Sequence, residues 1–142
     1  MEVPQLKIID PAKNLCFGCS KDNPIGLKLQ FTEDNGIIKG EFTPGKFHQG
    51  WPGFTHGGIL FTLLDEACGY VIHNLGIRCV TAKSEIKFTQ VAPIDEPIQI
   101  TAQITKNGAR LIETEATLSL KDGTSIASSL SLWYIVKNQS TR

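Results

Sequence analysis

GGILFTLLDEACGYVIHNLG, residues 57–76, is the stretch that decides the fold. Its apolar side chains Ile59, Leu60, Phe61, Leu63, Leu64, Ala67, Tyr70, Val71, Ile72 and Leu75 fall on every side of a helical wheel, so it predicts a helix over 57–76 without a wide polar face. Such a helix has to be surrounded by protein or by lipid. The length suits a membrane span, but adjacent Asp65 and Glu66 near the midpoint are costly in hydrocarbon, and nothing else in the chain is membrane-like. Protein is the expected surrounding.

The flanking sequence reads as β. Leu27, Leu29 and Phe31 alternate with Lys28, Gln30 and Thr32; Asn35-Gly36 signals a tight turn; a second alternating run covers 37–43. After the helix, period-two runs rich in Thr, Ile and Val cover 80–91, 98–105, 111–121 and 125–136, with Asn107-Gly108 and Asp122-Gly123 at two of the expected turns. The order is two strands, one long helix, then four strands. Several of these strands exceed the usual five or six residues, roughly, and long strands can curve. An α+β architecture follows: one buried helix wrapped by a curved antiparallel sheet of about six strands. The expected boundaries are an irregular, Pro-punctuated lead-in over 1–26, a single domain over 27–137 and a short tail over 138–142.

Composition sets the outer limits. The 142 residues make one domain, and 41% hydrophobic with 20% charged residues allows a real core, which argues against wholesale disorder. Fourteen basic against fourteen acidic residues give zero net charge, so no electrostatic nucleic-acid partner is expected. Little colloidal repulsion suits a protein partly covered by its own copies. The opening MEVPQLKIIDPAKN has no apolar run after a basic start, so no export signal is read and a cytoplasmic location is expected. On that reading the four cysteines are thiols.

The chemistry is expected within FHQGWPGFTHGGILFTLLDEA, residues 47–67. His56-Gly57-Gly58 opens the helix, where the first backbone N–H groups lack internal acceptors and sit at the positive end of the macrodipole. Glycines there let a substrate oxygen approach, and such an N-terminus suits an oxyanion. Small residues for helix–sheet packing explain Gly-Gly equally well. Asp65 shifts the balance, because a carboxylate on a helix without a polar face must be hydrogen-bonded, paired or placed for a task. Glu66 lies about 100° around the helix from it, so the two face different places. Gly57 and Asp65, eight residues apart, are separated by roughly 12 Å at about 1.5 Å rise per residue, too far to act on one carbonyl. If both act, they come from different chains, with two copies related by a twofold axis.

The segments HGGILFTLLDEA and TAKSEIKFTQVAPIDEP, with the opening CFGCSKDNPIGLKLQF and the element order, resemble the hotdog-fold acyl-CoA thioesterases of the PaaI-like group within the 4-hydroxybenzoyl-CoA thioesterase superfamily. The likeness covers about 15–137. It implies that Asp65 is the catalytic carboxylate, acting as general base on water or as nucleophile. It implies that the N–H of Gly57 polarises the thioester carbonyl, with Gly58 beside it, and that His56 shapes the turn. Thr81 falls where some relatives use Ser or Thr to assist the carboxylate. Some members have Asn six residues before the motif His; here that position is Gly50, and Gln49 is the available substitute. The implied function is hydrolysis of a small aromatic or short- to medium-chain acyl-CoA by a homodimer or a tetramer built from two dimers, with no metal or redox cofactor. Lys83, Lys87, Arg78 and Arg110 are available for the CoA phosphates, and Trp51, Phe54, Leu60, Phe61 and Leu64 for an acyl pocket.

Competing readings remain at this level. Cys16-Phe17-Gly18-Cys19 spaces its thiols like half of a zinc site, which two copies would complete, but no second CxxC or Cys/His pair exists and no metal is assigned. Cys68 and Cys79 read as small buried hydrophobes, His73 as structural, and His48 as a loop residue. A hotdog dehydratase needs an acid fourteen residues after a loop His; after His48 that position is Thr62, although His56 with Asp65 or Glu66 keeps a form of that reading. A non-catalytic acyl-CoA-binding module is the rival from another class.

Overall fold

The computed structural model describes residues 14–136. Residues 1–13, which are half of the expected lead-in and nearly all of the stretch read for an export signal, and the 138–142 tail lie outside them. The elements run β1 (Phe31–Asp34), β2 (Ile37–Phe42), α1 (Gly57–His73), β3 (Cys79–Phe88), β4 (Ile98–Asn107), β5 (Leu111–Leu120) and β6 (Ser125–Ile135). The strands form one antiparallel sheet in the order β1-β2-β4-β5-β6-β3, curved around the helix. This is the hotdog arrangement expected from the pattern. The long crossovers follow from the helix: β2 leads into α1, and the chain re-enters the sheet at its far edge as β3 before closing through β4, β5 and β6.

Turn chemistry fixes the hairpins. Asn35 (φ 51°) and Gly36 (φ 80°) both lie in the left-handed region, as the two-residue turn between β1 and β2 requires. Gly123 (φ 91°) serves the β5–β6 turn, where its N–H donates to Leu120 O and Thr124 N–H to Asp122 Oδ1. The inward faces of the strands carry Ile38, Ile98, Ile100, Ile112, Leu118 and Ile126, none more than 1% exposed, against Leu60, Leu63, Leu64, Ala67, Cys68, Val71 and Ile72 of α1. Burying each such aliphatic chain contributes about 1.5–3 kcal/mol. Within this core Trp133 donates its indole N–H to Thr114 Oγ1 at 2.9 Å, so the one buried hydroxyl on β5 is satisfied.

The structure corrects several expected boundaries. The first strand begins at Phe31 rather than Leu27, because Lys28 (φ 53°) interrupts the extended run; Leu27 and Leu29 are buried but donate their N–H groups to Phe17 O and Gly18 O. The helix ends at His73, capped by Asn74, before Gly76 (φ 77°) turns the chain out. β3 stops at Phe88, where Thr89 and Gln90 both donate to Ile126 O, and β4 runs on to Asn107. The protomer's own sheet covers one face of α1 more completely than the other. Buried positions occupy one face at helical spacing, whereas Ile59, Phe61, Thr62, Asp65, Glu66, Gly69 and Tyr70 are only half-buried. A curved sheet can wrap one side of a helix, and the apolar residues opposite are left partly open.

Candidate active site

The loop before α1 is ordered by its own polar groups. Lys46–His48 form a 3-10 turn in which His48 Nδ1 accepts from Gly45 N–H at 2.8 Å, while the His48 ring meets Phe42 edge-on. Gln49 Oε1 accepts from Gly53 N–H at 2.6 Å and Gln49 Nε2 donates to Lys46 O at 2.8 Å. Gly53 takes φ 88° to make that bend. Gln49 thus braces the loop at both ends of its amide, and the structure does not bring it to Asp65. At Gly50 a Cβ would lie 3.3 Å from His56 Cα, so the loop here is packed around the missing side chain.

His56 (φ −62°, ψ 137°) caps α1. Its Nδ1 accepts from Gly58 N–H at 2.8 Å, which makes Nε2 the protonated nitrogen, and its carbonyl accepts from Ile59 and Leu60. Three of the first four helical donors are therefore committed. The N–H of Gly57 has no acceptor among the described residues. The two glycines are consequently not equivalent: Gly58 serves the cap, and Gly57 alone offers a donor. A Cβ on Gly57 would meet only the Phe88 ring at 3.9 Å, whereas one on Gly58 would press on His56 Nδ1 at 3.0 Å.

An open cleft of about 850 Å³ lies over this donor, lined by Trp51, Phe54, Thr55, His56, Gly57 and Val91. Trp51 is 83% exposed there, an unusual state for so large an apolar side chain. Thr55 is a residue that sequence reasoning passed over. Only 8% exposed, it donates its N–H to Ala92 O, and its Oγ1 has no partner among the described residues. A hydroxyl is not visible as an orphan until the packing around it is known. The only available sequence signal was a polar residue directly before His56.

Two turns along α1, Asp65 Oδ1 accepts from Thr81 Oγ1 at 2.8 Å, so the structure brings these two expected residues together across α1 and β3. Burial pushes the Asp65 carboxyl above the usual carboxylate range, and the Thr81 bond pulls it back in part. Glu66 faces elsewhere: its Oε1 lies 3.6 Å from Cys16 Sγ. The side chains settle which acid stands with Thr81. Gly57 and Asp65 remain eight residues apart on one straight element, on the order of 12 Å. Lys83 pairs with Glu85 at 3.7 Å on the surface, with both side chains exposed.

A curved sheet on one helix, an unpartnered N–H at that helix's start and a half-buried carboxylate farther along it define a hotdog-fold protein. The pattern that defines the Thioesterase superfamily matches residues 52–127, more than half of the chain, and the chain belongs to that superfamily. It is 34% identical over 65 residues to the mouse (Mus musculus) acyl-coenzyme A thioesterase THEM5, a match covering 46% of this chain. The chain spans about a quarter (26%) of the length of that curated relative. Among solved structures, it is similar to a hypothetical thioesterase from Streptococcus pneumoniae determined with coenzyme A (TM-score 0.73, 20% identity, covering 79% of this chain and 88% of that one). It is also similar to the PaaI protein of the E. coli phenylacetic acid degradation operon (TM-score 0.74, 19% identity, 79% and 82%). Among the described residues, no helix is long and apolar enough to cross a membrane.

Proposed function

We propose that this protein hydrolyses an acyl-CoA thioester at a site shared by two copies of the chain. The observation that carries the reading is the Gly57 N–H, without an acceptor among the described residues, on a residue that lines the cleft where a thioester oxygen can sit. In the tetrahedral intermediate that oxygen becomes an oxyanion, and a fixed donor at the positive end of a helix is worth most where charge develops. Asp65 of the other copy removes a proton from water, or attacks the carbonyl carbon itself, while Thr81 holds the carboxylate in place. Coenzyme A thiolate leaves and is protonated. The chemistry calls on no metal or redox group. THEM5 is named an acyl-coenzyme A thioesterase and the pneumococcal structure holds coenzyme A, which supports the CoA ester as substrate class. The exposed Trp51, Phe54 and Val91 favour a small aromatic or short- to medium-chain acyl group.

The edge strand supports the two-chain site. Among the described residues β3 pairs only with β6, and it carries Thr81 at one end and Phe88, beside Gly57, at the other. A twofold axis through the middle of β3 sets the Thr81–Asp65 end of one copy against the Phe88–Gly57 end of its partner, joins two free edges, and covers the half-open side of α1. The test is a panel of acyl-CoA esters assayed for thiol release with wild type and Asp65→Asn, alongside sedimentation. Turnover unaffected by Asp65→Asn refutes the mechanism, and a stable monomer refutes the shared site. Gly50, standing where some members of the group carry Asn, favours one second reading, a binding-only module; saturable acyl-CoA binding without turnover of any ester identifies it.

A further inference from the structure

Where the 14–20 loop packs against α1, the Cys16 and Cys19 sulfurs and a Glu66 carboxylate oxygen all lie within 4.8 Å of one another. The sequence shows only a Cys-X-X-Cys half-site; the third group comes from 47 positions beyond Cys19 and is visible only in the fold. For zinc bonded at about 2.3 Å to sulfur and about 2.0 Å to oxygen, a tetrahedral edge between the two ligands is about 3.5 Å. The Cys16 Sγ to Glu66 Oε1 separation is 3.6 Å.

The cluster is held in shape independently of any ion. Cys16 N–H donates to Asn14 Oδ1, Ser20 N–H to Cys16 O, and the Phe17 and Gly18 carbonyls accept from Leu27 and Leu29, which are anchored in the core. Gly18 lies against the Glu66 carboxylate so closely that an added Cβ would fall 2.2 Å from Glu66 Cδ. The chain has left room for this carboxylate at the center of the Cys-X-X-Cys turn. No ion pair engages Glu66 among the described residues.

We propose that Cys16, Cys19 and Glu66 form a binding site for a thiophilic divalent cation, zinc being the ion whose distances fit, with a fourth position open to water. Two sulfur ligands disfavour magnesium and calcium, which take oxygen ligands. The ion exchanges for the thiol protons, which pass to solvent as the two Zn–S bonds and the Zn–O bond form. It ties the 14–20 loop to α1 and stands apart from the thioesterase reading, whose groups it does not use.

The test uses untagged full-length protein, reduced, stripped with chelator and checked for free thiols. Calorimetric titration with Zn2+ is expected to give one ion per chain with proton release that changes with buffer. Co2+ in its place is expected to give thiolate charge-transfer and intense visible ligand-field bands. Loss of a contact that merely supports a ligand costs about 10- to 100-fold in affinity, so Cys19→Ser and Glu66→Gln should each weaken zinc by at least about tenfold. Cys19 is exposed, so its serine variant is expected to fold, and circular dichroism verifies it. No zinc uptake by fully reduced wild type overturns the site, as does uptake that neither variant weakens.

Discussion

Replacing Gly57 with proline deletes one hydrogen-bond donor and little else. Proline is favoured at the first helical position, where its missing N–H breaks no helical bond, and its ring presets φ. The residue before a proline must be extended, and His56 at φ −62° and ψ 137° already is. The cap survives, because it runs from Gly58 N–H to His56 Nδ1, and the added carbons near the Gly57 Cβ position meet only Phe88 at van der Waals distance. The fold should therefore be unchanged or stabilised by about 0.4–1 kcal/mol through a less flexible unfolded chain. Catalysis should not survive equally well. Removing a single oxyanion donor costs about 10²–10³ in kcat, or about 2.7–4 kcal/mol. Gly57→Ala retains the N–H and faces the same Phe88 contact, so it should stay within about threefold of wild type, at less than about 1 kcal/mol. The assay is steady-state thiol release from a short acyl-CoA, with thermal unfolding on the same samples. Because the proline ring also occupies space beside the carbonyl, kcat at saturation is the deciding quantity, not KM. A Gly57→Pro protein that melts at or above the wild-type temperature and keeps its kcat refutes the oxyanion role of this N–H.

Asp65→Asn is expected to lower kcat by about 10²–10⁴, the range for a lost general base, while leaving the melting temperature equal or higher, because a neutral amide is less penalised by the burial that raises the Asp65 pKa. Mixing inactive Gly57→Pro and Asp65→Asn chains and allowing exchange should restore about a quarter of wild-type activity: half of the dimers are mixed, and each has one intact site of two. No recovery after confirmed exchange places both groups in one chain and contradicts the shared site. Thr55→Val should stabilise the free protein by about 1–3 kcal/mol, by removing a buried hydroxyl without a partner, yet raise KM for acyl-CoA by up to about tenfold. A stability gain with unchanged KM would show that Thr55 does not contact the substrate.

What could be read in advance divides along a physical line. Periodicity located every strand and the helix, because burial on one face repeats at two or 3.6 residues and leaves its record locally. It misjudged the start of the first strand, where Lys28 adopts a left-handed conformation that no local pattern announces and the N–H groups of Leu27 and Leu29 turn to the Cys16–Cys19 loop instead. The same limit applies to the site. Gly57, Asp65 and Thr81 were legible as residue types in a motif, but the difference between Gly57 and Gly58 rests on which way the His56 ring points. The partition of Asp65 and Glu66 between Thr81 and Cys16 rests on pairings 16 and 50 residues apart.

That partition also explains why two adjacent acids can persist on a helix with no polar face. Each is half-buried and raised above its usual pKa by burial, an effect that a hydrogen bond from Thr81 to Asp65 and from Cys16 to Glu66 offsets in part. Facing about 100° apart, they avoid competing for one partner and serve separate edges of the fold, Asp65 toward β3 and Glu66 toward the N-terminal loop. The apolar residues around them on α1 are likewise half-open in one copy. A helix this apolar with one face uncovered is a poor solution for a monomer and a good one for a protein whose second copy supplies the missing cover. With the proposed two-chain site, the all-round hydrophobicity of residues 57–76, which suggests a helix buried on most sides, fits two different surroundings: the chain's own sheet on one side and a second copy on the other.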